Sequence, residues 1–272
     1  MILSDFHVHS DVSQDSTAAM IDMVRAEAAY GIERMCFTNH CDVVDWHSME
    51  FLPRCREIVP ESLRKREEML RACGPLPIDV GIGLELGESL FAPEVAREIA
   101  GSEGLDFVIG SLHILQGYGD LWGIEWKSIE QCHKMFSIYL DELLLIAEMD
   151  WYDVMAHIGY GRRYMMEAGF DAMMTLERYG ERIETLLRRL IDKGIGIEIN
   201  CSGIRDGCGP FPQPEVLRLY RQLGGEIITV GSDAHCPQDA AKCVREGYEV
   251  LKDCGFRYVS TFKQRKAEFI KL

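Results

Sequence analysis

The sequence lacks a long hydrophobic run: no apolar stretch approaches the roughly 18 residues that a membrane-spanning helix needs. It is also poor in positive charge relative to negative charge, because it has 29 lysines and arginines but 44 aspartates and glutamates, which gives a formal net charge of −15. Phosphate backbones and anionic membranes attract basic surfaces, so we expect no nucleic-acid partner and no membrane partner. A small anionic substrate stays open, because bound metal ions would create a positive pocket in an acidic protein.

Three further absences bear on the organisation of the chain. No Pro/Gly/Ser-rich linker, internal repeat or low-complexity run divides the 272 residues, so we predict a single domain over residues 1–272. The ten cysteines include no C-x-x-C pair, which in a chain of this size indicates reduced thiols rather than a disulfide framework. No signal-peptide core develops before Asp5, so we expect a cytoplasmic protein. The oligomeric state stays open.

What the sequence does contain is a regular alternation of strand and helix patterns. We predict seven strands, near residues 2–9, 34–40, 78–86, 106–113, 153–158, 195–200 and 227–233. Each is followed by a predicted helix, near residues 17–30, 54–72, 93–100, 128–148, 171–192, 214–223 and 238–253. Such βα repetition predicts a parallel sheet covered by helices, either an open doubly wound sheet or a closed barrel.

Metal-type side chains stand at the C-terminal ends of these strands. His7 and His9, two apart in "DFHVHS", leave the same face of an extended strand. Other strand ends deliver His40 in "FTNHCD", Glu85 in "GLELG", His113 in "GSLH", His157 in "MAHIGY", and Asp233 with His235 in "VGSDAH". A barrel collects groups from many strand ends, whereas an open sheet gathers them where the strand order reverses. Six contributing strands therefore favour a metal site at the mouth of a barrel.

The turn "SDVSQDST" adds a carboxylate to this set. Asp11 and Asp15 both lie between the first strand and its helix, and either could reach the mouth or merely favour the helix N-terminus. With one of these aspartates included, the candidate ligands number nine. One catalytic zinc takes about three or four ligands, so this set predicts two or three ions and a bridging group. Imidazole and carboxylate ligation suits zinc, iron or manganese. We expect His133 on a helix face, and His47 in a loop that could touch substrate.

The motifs "FHVHS", "FTNHCD", "GLELG", "GSLH", "MAHIGY" and "VGSDAH", in this order, resemble the PHP (polymerase and histidinol phosphatase) superfamily. The segments "HSDVSQDS" and "EINCSGIR" resemble its monofunctional histidinol-phosphatase branch. The resemblance implies an α/β fold, a distorted (β/α)7 barrel of the TIM-like kind, with a trinuclear metal centre at the C-terminal mouth of the strands.

The resemblance also implies a role for each ligand and favours Asp15 over Asp11. One ion would be held by His7, His9, Glu85 and Asp233, a second by Asp15, His40 and His235, and a third by Glu85, His113 and His157. Within these, the catalytic set is His7, His9, Glu85, Asp233 and His235. The implied reaction is hydrolysis of L-histidinol phosphate in histidine biosynthesis by a metal-bridging hydroxide. The alternative is another PHP phosphoesterase, acting on a nucleotide, a sugar phosphate or a phosphopeptide.

The sixth strand brings no histidine to the mouth but is followed by Arg205, and the loop after the fifth strand carries Arg162 and Arg163 in "GRRY". Guanidinium groups suit bidentate phosphate binding, so we predict that Arg205 and one of Arg162 and Arg163 contact the substrate phosphate. Residues 114–126, rich in glycine and aromatic side chains, could form a lid over the site or could equally be packing at its rim.

Overall fold

Parallel strands joined by helices account for most of the protein, and the computed structural model describes residues 2–272. The strands are β1 (Ser4–Val8), β2 (Arg34–Phe37), β3 (His40–Asp42), β4 (Asp79–Gly87), β5 (Phe107–Ser111), β6 (Ile114–Leu115), β7 (Gly119–Asp120), β8 (Val154–Met155), β9 (Gly196–Asn200), β10 (Ile228–Gly231), β11 (Tyr258–Lys263) and β12 (Lys266–Lys271). The helices are α1 (Met20–Tyr30), α2 (Ile58–Cys73), α3 (Pro93–Ala100), α4 (Ile129–Ile146), α5 (Arg162–Glu167), α6 (Leu176–Asp192), α7 (Ser202–Arg205), α8 (Pro214–Gln222) and α9 (Val244–Asp253). Across residues 2–272, no helix has both the length and the apolar character that crossing a membrane requires.

Seven of the strands form a nearly closed parallel barrel in the order β1, β2, β4, β5, β8, β9, β10. The short strand β3 continues the line of β2 along β4, and it places His40 opposite Glu85. The two ends of the sheet meet where Val8 forms a parallel bridge with Ala234, and where the His9 amide donates to the Ala234 carbonyl at 2.9 Å. The predicted α/β (β/α)7 barrel is therefore confirmed.

An irregularity in β1 turns its histidines toward the barrel interior. Asp5 pairs with Met35 of β2, but Val8 pairs with Phe37, so β1 holds one extra residue between the two pairs. An extra residue of this kind re-aims the side chains that follow it. It allows Phe6 to pack inside the barrel and the adjacent His7 to face the mouth.

A hairpin that was not predicted, β11 with β12, closes the N-terminal end of the barrel. Its Phe262 packs on Phe107 with ring centroids 4.9 Å apart, and Phe107 packs on Phe6 at 5.6 Å. These rings belong to a small hydrophobic cluster inside the barrel that is separate from the larger core between strands and helices. The hairpin therefore plugs the end of the barrel opposite the predicted metal site.

Several predicted boundaries are wrong. The first helix begins at Met20 rather than residue 17, because the Ala18 carbonyl accepts the Asp11 amide at 2.8 Å and closes a turn there. The predicted helix 171–192 begins at Leu176, and the short α5 precedes it. The predicted helix 238–253 begins at Val244, since Cys243 has a left-handed backbone with φ of 62° that an α-helix cannot contain.

Candidate metal centre

Eight side chains from the ends of six strands, together with Asp15 of the turn after β1, converge at the mouth. In the first predicted set, the Nε2 atoms of His7 and His9 lie 3.3 and 3.5 Å from Glu85 Oε2, and 3.6 and 3.4 Å from Asp233 Oδ1. Asp233 reaches this position with a left-handed backbone, φ 57°, which Asp tolerates better than most residues. Four donor atoms thus surround one point.

The second and third sets lie beside the first. Asp15 Oδ2 is 3.5 Å from His40 Nε2 and 3.0 Å from His235 Nε2. Asp11, the alternative carboxylate, instead pairs with Lys65 at 2.8 Å. The structure therefore brings Asp15 rather than Asp11 to the cluster.

Glu85 joins the sets because its two oxygens face different partners. Oε1 lies 3.2 Å from His113 Nε2 and 3.0 Å from His157 Nε2, while Oε2 faces His7 and His9 and lies 3.0 Å from His40 Nδ1. A carboxylate in this position can bridge two cations. The side chain is fully buried, so no bulk water competes for it.

The donor atoms fit metal ions because many of them have no hydrogen-bond partner within the protein. Among the described residues, the buried atoms without a partner include His7 Nε2, His9 Nε2, His40 Nδ1, His235 Nε2 and Glu85 Oε2. Leaving buried polar atoms unpaired costs about 1–3 kcal/mol each, so such a concentration at one point fits a site for bound metal ions. Four groups of three or four His, Asp and Glu residues are close enough to hold an ion: His9, Asp15, His40 and His235; His7, His9 and Glu85; His40, Asp42 and His113; and Glu85, His113 and His157.

Outer partners orient the imidazoles, and sequence reasoning missed them. His7 Nδ1 lies 2.7 Å from Glu198 Oε1, and the other oxygen of Glu198 accepts the His157 amide at 2.8 Å. His9 Nδ1 lies 2.9 Å from Ser13 Oγ, and His113 Nδ1 lies 3.2 Å from Glu88 Oε1. Partners of this kind fix the ring tautomer and orientation of metal ligands. The available signal was the carboxylate of "IGIEIN" within an otherwise apolar strand.

A further missed acid is Asp42, which is buried 3.9 Å from both His40 and His113. Burial raises the pKa of Asp42 to about 7, even though the two imidazoles act in the opposite direction. It adds a donor beside the second and third sets. The signal was its place in "HCD", two residues after His40.

The electrostatics of the cluster favour a bound cation. Burial lowers the pKa of His9 to about 3, helped by His235 and His40, so at neutral pH this imidazole keeps a free lone pair. Burial also lowers the pKa of His7, but the carboxylates of Glu198 and Glu85 outweigh burial and raise it well above its usual value. The carboxylates that attract a proton to this ring would attract a metal ion in the same way.

The cluster forms the floor of a cavity of about 680 Å³. Residues Tyr118, Gly119, Asp120, Trp122 and Gly123 line one wall, so part of the segment 114–126 borders the cavity. His47 also lines it, whereas His133 lies on α4 and bonds Tyr179 with its Nδ1 2.8 Å from the hydroxyl. Both histidines are therefore where the sequence predicted them.

Of the three candidate arginines, Arg163 lines the cavity. Its Nε lies 2.9 Å from Asp206, and its Nη2 donates to Ser202. Arg205 donates to the Ser232 carbonyl at 3.2 Å, next to Asp233 but outside the cavity lining. Arg162 is turned away, toward the Cys208 carbonyl and Asp171. The geometry therefore favours Arg163 over Arg162, and phosphate contact by Arg205 stays a prediction.

The fold and the site together define an α/β barrel with a metal-binding mouth built for several ions. The family model described as the PHP domain matches residues 5–202, and the chain belongs to this family. It is 27% identical over 267 residues to the histidinol-phosphatase of Lactococcus lactis subsp. lactis (strain IL1403), covering 97% of this chain and 96% of that protein. A "Probable histidinol-phosphatase" of Thermotoga maritima is 25% identical over 257 residues, covering 94% of each chain.

A solved structure is similar over almost the whole chain. It is the crystal structure of histidinol phosphate phosphatase from Lactococcus lactis in complex with zinc, L-histidinol and phosphate. The TM-score is 0.79 at 25% sequence identity, with 98% of both chains covered. That relative therefore shares this barrel from end to end.

Proposed function

We propose that the protein is a metal-dependent phosphoric monoester hydrolase that converts L-histidinol phosphate to L-histidinol and phosphate, a step of histidine biosynthesis. The observation that carries the proposal is the division of Glu85, whose two oxygens face two separate sets of imidazoles and so suit a multinuclear centre. The Lactococcus relative, which binds zinc, L-histidinol and phosphate, supports the choice of substrate. No observation favours the alternative substrates, nucleotides, sugar phosphates or phosphopeptides.

We propose that the protein binds three divalent ions, which are zinc, iron or manganese. Their ligands are His7, His9, Asp15, His40, Glu85, His113, His157, Asp233 and His235. When bound, such ions neutralise charge on phosphoryl oxygens and lower the pKa of water to about 7. The chain's own part is to keep the donors oriented. Glu198 holds the His7 ring by its Nδ1, and Ser13 holds the His9 ring in the same way.

Positive side chains would bind the phosphate from the protein side. Arg163 borders the cavity. Burial acts to lower the pKa of its guanidinium, but Asp233 and Asp206 outweigh burial and raise this pKa. It is therefore charged throughout the physiological range. We propose that Arg163 contacts the substrate phosphate, and that Arg205 does so after releasing the Ser232 carbonyl.

The proposal treats residues 1–272 as one domain, because Asp233 and His235 lie beyond the matched residues 5–202 and yet complete the cluster. It also places the enzyme in the cytoplasm. Within the described part of the chain, none of the ten cysteines forms a disulfide, as is usual for a reducing compartment.

The test is a phosphate-release screen. Protein is freed of metal, reconstituted separately with zinc, iron or manganese, and analysed for bound metal. Histidinol phosphate is then compared with a nucleoside monophosphate, a sugar phosphate and a phosphotyrosine peptide at matched concentrations. We expect two to three ions per chain and the highest kcat/KM for histidinol phosphate. A stoichiometry below one ion, or a clear preference for another phosphomonoester, would contradict the proposal.

A further inference from the structure

The cavity above the ligand cluster is lined by aromatic rings and by one further acidic group. The rings come from Trp46, Tyr118, Trp122, Tyr160 and Tyr164, of which Trp46 packs on His40 and Tyr160 on His157. Among the described residues that line the cavity, Asp120 is the sole carboxylate outside the nine assigned ligands. A negative charge placed among aromatic faces is a typical environment for an organic cation.

Asp120 is held rigidly relative to the metal ligands. It pairs with Ile114 across the β6–β7 hairpin, and the next residue, Leu121, donates its amide to the His113 carbonyl at 3.0 Å. Its Oδ1 accepts the Trp122 amide at 2.6 Å. One carboxylate oxygen is therefore used by the backbone, while the second is available to a ligand.

The charge of Asp120 is not neutralised by the protein. Within residues 2–272, no lysine or arginine lies within ion-pair distance of it. The charge of Asp120 also acts on Tyr164 across the cavity. Burial raises the pKa of Tyr164 to about 12, Arg163 acts to lower this pKa, and Asp120 acts to raise it. An uncompensated carboxylate in a partly buried cavity gains most from a cationic partner.

We infer that Asp120 binds the ammonium group of the substrate, and that the site selects phosphomonoesters of amino alcohols. The inference rests on the proposed function, because L-histidinol phosphate carries an ammonium on the carbon next to its phosphorylated CH₂. The ions and Arg163 take the anionic end of such a molecule, and Asp120 takes the cationic end. The aromatic side chains of the cavity accept the imidazole ring of the substrate.

Four substrates separate the ammonium from the ring. Histidinol phosphate and phenylalaninol phosphate carry the ammonium, whereas 3-(imidazol-4-yl)propyl phosphate and 3-phenylpropyl phosphate lack it. Wild-type enzyme should prefer the ammonium-bearing member of each pair by roughly ten- to a hundredfold in kcat/KM, as expected for a charge-assisted hydrogen bond.

Asp120→Asn is the decisive variant, because Asn keeps an oxygen acceptor for the Trp122 amide but loses the charge. We expect it to abolish the ammonium preference and to leave kcat/KM for the two ammonium-free substrates within about twofold of wild type. Glu125→Gln serves as the control, since Glu125 lies in the same segment, is 81% exposed, and pairs with Lys127. It should keep the full preference.

The outcomes distinguish this inference from the proposed function. An equal loss on all four substrates in Asp120→Asn would show that Asp120 only holds the segment, and would overturn the inference. A loss that follows the imidazole instead of the ammonium would overturn it too. If wild-type enzyme ignored histidinol phosphate, the proposed function would fail, while the phenylalaninol phosphate pair would still decide whether Asp120 reads the ammonium.

Discussion

Charged side chains lie at both ends of the barrel, but at the N-terminal end they are hydrogen-bonded within the protein, whereas at the mouth several buried donor and acceptor atoms have no hydrogen-bond partner. There the Arg265 guanidinium donates to Asp153 at 2.5 Å and to the carbonyls of Trp151 and Ala100 at 2.6 and 2.7 Å. Asp106 accepts the amides of Ile82 and Gln264 at 3.2 and 3.1 Å. At the mouth, by contrast, ring nitrogens and a Glu85 oxygen face one another without hydrogen bonds.

This difference separates charges that stabilise the fold from charges that bind. Charged groups that are hydrogen-bonded to one another within the protein need no ligand. Buried donors and acceptors without partners, by contrast, destabilise the fold unless a ligand binds them. Their presence is explained when a ligand supplies the missing interactions, as metal ions would at the mouth. Substitutions at the two ends should therefore have different consequences.

The largest effect is expected at Glu85. Glu85→Ala removes the carboxylate that faces two sets of imidazoles, and His9→Ala removes a donor of the first set, so each should abolish turnover and reduce bound metal. Phosphate release and elemental analysis measure both. His133→Ala is the control, because His133 lies on α4 and contacts Tyr179. A comparable loss in folded His133→Ala would mean that the histidines are divided wrongly.

The next effect concerns the cations around the mouth. Arg163→Ala and Arg205→Ala should each lower kcat/KM for histidinol phosphate by about ten- to more than a hundredfold, by loss of a charge-assisted contact of about 1.5–3 kcal/mol. Bound metal should not change. Arg205→Lys should recover part of the loss, because an ammonium keeps the charge without the two-pronged geometry. Wild-type kcat/KM in Arg205→Ala would assign the phosphate contact to Arg163 alone.

Glu198 tests whether the outer partners serve the ligands. Glu198→Gln removes the charge beside His7 Nδ1 but keeps its size, so metal affinity should fall about ten- to a hundredfold. Metal titration followed by phosphate release measures this loss, and excess metal should restore most of the activity. Unchanged metal affinity would show that Glu198 only bridges strands through the His157 amide.

The sequence predicted the contents of the mouth better than the opposite end of the barrel. Eight of the predicted ligands follow strand ends, which are visible in local patterns, whereas Asp15 was favoured over Asp11 only by the family resemblance. All nine lie in the cluster. The hairpin β11–β12 carries no such signal, because its turn uses Gln264 and Arg265 at φ of 49° and 64° where Gly or Asn is usual. The partnership of His7 with Glu198 joins residues 191 apart and depends on the barrel closing.

A smaller effect, on stability alone, is expected at the closed end. Arg265→Ala leaves Asp153 without its cation, and we expect it to lower the free energy of unfolding by about 2–4 kcal/mol, less than for a fully buried pair because Arg265 is partly exposed. Activity per folded molecule should stay at the wild-type level. Urea denaturation measures the first quantity. Arg25→Ala, which breaks an exposed pair with Asp22, is the matched control and should change stability by less than about 1 kcal/mol. Impaired catalysis in folded Arg265→Ala would remove the distinction between the two ends.

The smallest effect comes from Glu142, a buried acid with one unpaired oxygen that is not among the proposed ligands. Its Oε1 accepts the Gln116 amide at 2.9 Å, its Oε2 has no partner, and burial raises its pKa to about 7, with Glu88 adding to burial.

The sign of the pH dependence follows from that raised pKa. Between about pH 4.5 and pH 7 the folded protein keeps a proton on Glu142 that the unfolded chain has lost, so the contribution of Glu142 to the stability of wild type should fall as pH rises through this window. Glu142→Gln stays neutral and can keep the acceptor for Gln116, so it should be more stable than wild type at pH 8, by an amount on the order of 1 kcal/mol, and should lose that advantage toward pH 4. Denaturation of both proteins across this range measures the difference, and parallel curves would show that Glu142 does not titrate in the fold. Metal content should be unchanged, because Glu142 accepts the Gln116 amide and is not among the nine proposed ligands.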